Sequence, residues 1–526
     1  MTGFVAVPAR PGRDRQAVYL PPPPGTPRLS GPARRTAVVG GGIAGLAAAT
    51  ALAERGVDVT LYESESYLGG RVGGWTTDLQ DGSTMTMSRG FHAFFRQYYN
   101  LRALLRRADP RLDCLTALPD YPLRHSNGRH DSFRRVPRTP PLSAVGFVAL
   151  SRSFRSRDLL HMNPLAALPL LDVQVPGVYT QFDDVSAYEH LEILRFPRAA
   201  RHLAFEVFSR SFFSDPSHLS AAEMILMFHI YFLGSAEGLL FDVPNAPFPK
   251  ALWNPLAAYL LRQGATLHTS TPIESVSPAG DGTFTVTTSA AGGRAARYDA
   301  VVLALDTRGL RTLVNRSPRL GDAGWRERVA QLRPAPPFLV SRLWLDRPVA
   351  PGRPGFLGTA GYGSLDNVSV LERWEDEAAH WAARTGGSVV ELHGYALPEH
   401  ADREAEAKRL VEQLARVYPE TGAARIVDAR HELRADCPLF PVGGYDDRPE
   451  VRTAHPGLVL AGDLVRTDLP VALMERAATS GFLAANALLN QWGTRGHPLW
   501  TVPTRGRNAA LRTLARRAPG RRAERS

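Results

Sequence analysis

Thr36-Ala37-Val38-Val39-Gly40-Gly41-Gly42-Ile43-Ala44-Gly45-Leu46 is the stretch that decides the fold. Thr36 to Val39 is a short β-favouring run, Gly40 to Gly45 is glycine-rich, and Leu46 to Glu54 carries helix-forming alanine and leucine. Gly56 ends that helix, and Val57 to Tyr62 is a second strand-like run closing on Glu63. A strand, a helix and a second strand within about 30 residues predict a βαβ unit. Gly40, Gly42 and Gly45 fit G-x-G-x-x-G, with Ala44 among the spacer residues. The first glycine allows the tight turn, the second lets backbone approach a pyrophosphate, and the third lets helix pack on sheet. The helix N-terminus then offers free N–H groups and a positive dipole end to phosphates. Glu63, 18 residues after Gly45, is placed to accept hydrogen bonds from a ribose. The bare motif is weak; with strand, helix and acid around it, it predicts a dinucleotide site.

Outward from that motif, 526 residues amount to roughly three domains' worth of chain. The apolar content of 44% and charged content of 21% are ordinary for a globular protein. Two cysteines, Cys114 and Cys437, exclude a disulfide scaffold, a four-cysteine zinc site and an iron–sulfur cluster; no metal site is expected. The start has no sustained apolar core of a secretory signal, and no run approaches the ~20 apolar residues of a spanning helix. A reducing, cytoplasmic setting is expected. The net charge of +11 is unevenly spread: 1–35 hold six Arg against Asp14, 494–526 hold nine Arg against Glu524, and the body is left at −2. Basicity therefore belongs to two tails rather than a groove, and the body shows no nucleic-acid motif, so no nucleic-acid partner is expected. Such Arg-rich, Pro-punctuated tails are expected to be disordered, and near anionic lipid each basic residue contributes ~1 kcal/mol.

Residues 100–250 alternate helical patterns with Pro-rich connections such as Pro137 to Pro141. Strand-like runs follow at Thr266 to Thr269, Phe284 to Thr288, Val301 to Ala304, Phe338 to Leu345 and Val389 to Tyr395. Arg403 to Val417 is a charged amphipathic helix, Val459 to Ala461 a strand, and Ala472 to Leu489 a helix. The pattern is α/β with a mixed domain inserted in it.

Leu68-Gly69-Gly70-Arg71 resembles the second glycine pair of the FAD proteins of the amine oxidase and carotenoid desaturase superfamily. Leu458 to Asp463 is similar to its second FAD signature, Met474 through Gly481 to the helix meeting the flavin ring, and Thr271 to Val276 to its adenine strand. The resemblance implies FAD as cofactor, held by Gly40, Gly42, Ala44, Gly45, Glu63, Gly69, Gly70, Arg71, Gly90, Val276, Gly462, Asp463 and Met474. It implies a glutathione-reductase-type, Rossmann-like FAD domain in three pieces (36–110, 251–310, 436–493). Between them lie a mostly helical, membrane-facing region (111–250) and a substrate sheet with helix (311–435); the flanks 1–35 and 494–526 are tails. No second G-x-G-x-x-G is present, since Asp366 stands where Gly361-Tyr362-Gly363 would need its third glycine. Reoxidation by quinone or O2 is therefore expected rather than turnover with NAD(P)H.

Gly90-Phe91-His92-Ala93-Phe94-Phe95 with Tyr98-Tyr99-Asn100 resembles the plant-type phytoene and ζ-carotene desaturases, as do Leu219 to Glu223, Met224 to Leu233, Asn254 to Leu260 and Gly264-Ala265. Ser88 to His92, Phe205 to Phe213 and His497 to Trp500 are similar to the carotenoid φ-ring synthases. That resemblance implies conversion of a β-ionone ring of β-carotene to an aromatic ring by loss of four hydrogens and a 1,2-methyl shift. Hydride abstraction would leave a cation, methyl migration would move it, and proton loss would finish the ring. Phe91, Phe94 and Phe95 are candidates to line the substrate and steady the cation, because ring faces attract cations without quenching them. His92 is the candidate base; Arg89 and Arg210 could hold flavin or quinone, or form ion pairs. Phe205, Phe208, Phe212 and Phe213 at helical spacing, and Met224 to Leu233, fit either core helices or a tunnel mouth dipping into one leaflet. Peripheral association with a membrane follows from so apolar a substrate. The alternatives are a linear-carotene desaturase or isomerase, a flavin amine oxidase, and a carotenoid-binding flavoprotein without turnover.

Overall fold

Arg35–Val39 lies at the centre of a five-stranded parallel sheet ordered Thr266–His268, Asp58–Tyr62, Arg35–Val39, Ala300–Leu303, Leu458–Leu460. Residues 10–154, 160–201, 212–289 and 293–516 are described in this computed structural model. Parallel strands are covered on both faces and so read as unbroken apolar runs, as in Ala37-Val38-Val39 and Val301-Val302-Leu303, all buried. Helix Ile43–Ala53 covers one face, and every one of its residues is buried because helix Leu473–Gln491 packs over it. The other face carries helix Thr307–Arg316 and the antiparallel strands Ile273–Pro278, Phe284–Thr288 and Ala295–Tyr298.

A seven-stranded mixed sheet forms the second layer, in the order Ile426–Arg434, Phe338–Leu345, Ser388–Gly394, Asn367–Val370, Phe356–Ala360, Leu123–His125, His130–Asp131. Its last two strands come from the stretch expected to be mostly helical, and Leu123–His125 joins by parallel pairing to Phe356–Ala360. Strand Phe241–Pro244 likewise pairs with Phe94–Phe95 and Leu115–Ala117. The region 111–250 is thus a helical layer laced by four short β pairings among the described residues. Gly361-Tyr362-Gly363 lies between the strands Phe356–Ala360 and Asn367–Val370, which pair antiparallel.

Within the helical layer, helix Ala221–Phe228 runs into a wider turn at His229–Leu233. Met224 to Met227 and His229 to Leu233 are buried, which corrects the leaflet-dipping reading: this run is interior. Apolar exposure falls instead on helix Leu142–Leu150 and its surroundings, where Leu142, Val145 (62%), Leu150, Leu160 (85%) and Leu165 face outward. Phe205, Phe208 and Arg210 lie outside the described residues.

The ends correct a second expectation. Val18–Leu20 and Leu499–Thr501 form a two-stranded antiparallel sheet, with Tyr19 on Trp500 at 5.2 Å. Asp14 is buried and held by Arg507, and His229 Nε2 bonds Pro503 O at 2.7 Å. Asp14, Val18–Leu20 and the stretch from Leu499 to Arg507 are therefore packed on the body rather than free. A buried carboxylate needs a buried cation, which uses one of the arginines counted toward a tail. Among the described residues no helix is long and apolar enough to cross a membrane.

Candidate functional site

The two sheets enclose one cavity of about 660 Å³, and the glycine-rich loops form its floor. Gly40, Gly42 and Ala44 line it at the start of the first helix, facing Gly69, Gly70 and Arg71. Gly45 does not line it: a Cβ there would stand 1.9 Å from Gly40 O, so this glycine serves the close turn-to-helix packing. No side chain caps the helix N-terminus at Gly42, which leaves first-turn amides facing the cavity. Glu63 lines it too, its carboxylate steadied by the N–H of Gly41 at 2.7 Å and of Glu65 at 2.9 Å. From the far end of the sequence come Gly462, Asp463 and Met474, with Arg71 Nη2 paired to Asp463 Oδ1 at 2.5 Å. A glycine-lined cradle, an uncapped helix start and a fixed carboxylate fit an adenine dinucleotide in extended form.

Val276 is not in this wall. It is fully buried and its N–H donates to Ser317 Oγ at 3.0 Å, so Thr271, Pro272 and Ile273 line the cavity in its place. The strand Ile273–Pro278 breaks register between Ile273 and Ser275, which separates the two positions.

Past the floor the walls turn aromatic. Phe91 stacks on Phe356 with ring centres 4.3 Å apart, and Phe95 lies 4.6 Å from Tyr231. Tyr121 and Phe133 continue the lining, and Phe133 stacks on Phe147 of helix Leu142–Leu150 at 4.8 Å. Phe94 faces the other way and is fully buried in the core against the first helix. Adjacent strand residues point to opposite faces, so Phe94 and Phe95 cannot both line one cavity. Phe213 also reaches it, 4.9 Å from Tyr395, while Phe212 packs against Phe440 in the helical core.

The polar part of the wall holds His92, Arg89, Asp436, Cys437, Tyr395 and His393. His92 Nδ1 is tied to Gly90 O at 2.8 Å, and burial pushes its pKa down to about 4, which makes it a weak proton acceptor. Arg89 is ion-paired to Asp436. Burial, with the negative charge of Asp436, pushes the Cys437 thiol up to about 12, so it stays neutral. Gly90 lies behind the cavity wall, against His393. Tyr395, His393, Asn367 and Tyr121 were not singled out from sequence. The available signal was Glu391-Leu392-His393-Gly394-Tyr395, whose alternation puts three polar residues on one face of a strand. Among the described residues no cluster of His, Cys, Asp and Glu could hold a metal ion.

Residues 43–489 match the family described as flavin containing amine oxidoreductase. The chain is 67% identical to the carotenoid phi-ring synthase of Streptomyces griseus over 96% of this chain and 97% of that protein. It is 27% identical to the carotenoid phi-ring synthase of Chlorobaculum tepidum over 90% and 91% of the two chains. A putrescine oxidase structure superposes with a TM-score of 0.62 at 17% identity, covering 87% of this chain and 100% of that one, which shows the shared fold. The chain belongs to the flavin-containing amine oxidoreductase family, in its carotenoid φ-ring synthase branch, and its cofactor is FAD.

Proposed function

We propose that the protein converts the β-ionone ring of β-carotene into an aromatic ring, by desaturation with migration of one geminal methyl group. The observation that carries this reading is the single cavity in which dinucleotide-binding loops pass directly into aromatic walls. Phe91, Phe356, Phe95 and Tyr231 offer ring faces to an apolar end group. Gly40, Gly42, Ala44 and the first-turn amides would hold the pyrophosphate, Glu63 a ribose, Ile273 the adenine end, and Gly69, Gly70, Arg71, Asp463 and Met474 the flavin half. FAD, when bound, supplies the two-electron acceptor that ring desaturation requires. The residues of this chain do the rest: the aromatic walls exclude water from a cationic ring and steady it, by ~2 kcal/mol or more where desolvated. Aromatisation takes four hydrogens from each ring, so the reduced cofactor must be reoxidised between rounds; quinone or O2 is the acceptor consistent with the single glycine motif.

A lipid-borne substrate needs an entry. Leu142 and Val145 are exposed on the helix that carries Phe147, whose ring touches the cavity-lining Phe133, and Leu150, Leu160 and Leu165 are exposed nearby in the chain. Docking of this helix on a membrane would connect acyl chains to the cavity through the aromatic stack. The decisive experiment is expression in a host that accumulates β-carotene. Aromatic-ring carotenoid is expected alongside FAD-loaded protein; unchanged β-carotene beside FAD-loaded protein would sink the reading.

A further inference from the structure

Glu391, His393 and Tyr395 alternate along Ser388–Gly394 and its continuation and share one face. The Tyr395 oxygen accepts from Asn367 Nδ2 at 3.0 Å, which leaves its own proton for His393 Nδ1 at 2.6 Å. The other imidazole nitrogen, Nε2, stands 2.9 Å from Glu391 Oε1 and donates to it. The Phe91 N–H also approaches Nε2, at 3.3 Å, but the shorter contact to an ionised carboxylate fixes the tautomer. Behind Glu391, Arg342 donates from Nε and Nη2 to Oε2 at 3.0 and 2.7 Å. Glu391, His393 and Arg342 are all buried, while Tyr395, His393 and Asn367 reach the cavity wall.

This is the order carboxylate, imidazole, hydroxyl, in which the carboxylate orients the ring and the ring takes the hydroxyl's proton. The geometry points to Tyr395, backed by His393 and Glu391, as the route by which the proton leaves the substrate ring during aromatisation, an inference that rests on the proposed function. Once desaturation has left the ring cationic, a ring C–H bond breaks. Its electron pair becomes the new ring double bond, and the proton passes to Tyr395 Oη as the Tyr395 proton passes to His393 Nδ1. The outcome is an uncharged aromatic ring and an imidazolium beside the Glu391 carboxylate. No further oxidant enters this step, since it moves a proton only.

The surroundings suit that role. Burial raises the Tyr395 hydroxyl, so it holds a proton to donate. Burial works against the Glu391 charge, yet Arg342 and His393 outweigh it and hold the carboxyl near 2, ionised whenever the imidazole is charged. Gly90 lets the Phe91–His92 loop close on the relay: its φ is +93°, and a Cβ would sit 2.4 Å from His393 Cε1. Any other residue at 90 would push the imidazole off Tyr395.

The test uses the full-length FAD-loaded protein with β-carotene in liposomes, comparing wild type, Tyr395→Phe and His393→Gln. Glutamine keeps a hydrogen-bonding side chain beside Tyr395 but cannot take up a proton, so a role in packing survives it and a role in proton transfer does not. Both variants should keep FAD content and KM while kcat falls by about 10²–10⁴-fold, the span of general acid–base effects. Nitrogen-15 spectra of the wild type should place the neutral imidazole proton on Nε2 of His393, with or without substrate. Either FAD-loaded variant retaining more than a tenth of wild-type kcat, or a proton found on Nδ1, overturns the relay. Should His393→Gln lose FAD, Tyr395→Phe, which removes one oxygen atom, decides the matter alone. Wild-type protein that holds FAD and leaves β-carotene unchanged overturns the aromatisation reading itself.

Discussion

Glu475 shows how one carboxyl sets a pH dependence. It is 3% exposed, and its two oxygens accept the backbone N–H groups of Asn100 and Leu101 at 2.8 and 2.9 Å. Burial nevertheless wins over those bonds and pushes its pKa up to about 8. A carboxyl raised in the folded state gives its full stability below the unfolded value near 4.5, and that contribution drains away as pH rises through 8. Glu475→Gln removes the titration, so the variant should gain stability on wild type between about pH 5 and 8 and level off above, read by urea unfolding; parallel pH curves would refute it. Single residues were also where the sequence misled. Phe91, Phe95 and His92 stand on the cavity wall, whereas Phe94 is turned away by strand alternation, which a run of like aromatic residues does not reveal. Val276 against Ile273 was a matter of register, which a bulge shifts and composition does not report.

Among elements, long apolar or amphipathic runs were readable and short paired ones were not. The sequence boundaries for Phe284–Thr288, Phe338–Leu345 and Arg403–Val417 coincide with the observed elements. Val18–Leu20 was missed because three residues carry no periodicity; their strand character comes from Leu499–Thr501, at the opposite end of the chain. The seven-stranded sheet hid its last two strands, Leu123–His125 and His130–Asp131, for the same reason. The helix Leu142–Leu150 is the element on which membrane docking depends. Burying an exposed apolar side chain in lipid contributes roughly 25 cal/mol per Å², and a carboxylate there reverses the sign. Leu142→Asp with Val145→Asp should lower co-sedimentation with anionic vesicles at least tenfold while leaving FAD content unchanged; undiminished binding would move the docking face elsewhere.

At the scale of the whole molecule, the paired ends act as a clasp over the helical layer. Asp14 accepts from Arg507 Nη2 at 2.9 Å and from Ala236 N at 2.9 Å, and Glu237 approaches its backbone at 3.3 Å. Arg507→Met strands a buried carboxylate and should cost on the order of 3 kcal/mol in unfolding experiments; a loss below ~0.5 kcal/mol would mean the clasp is dispensable. The five-stranded sheet has a consequence in time as well as in space. Its strands come from 35–62, 266–303 and 458–460, and the helix over the cofactor floor ends at Gln491. Emerging from a ribosome at about 5–20 residues per second, the nascent chain shows its glycine loop long before the partner strand Leu458–Leu460 and Asp463. Cofactor capture therefore waits on residues more than 400 positions downstream of the loop that first meets the pyrophosphate. A cell short of flavin would accumulate folded but unloaded chains.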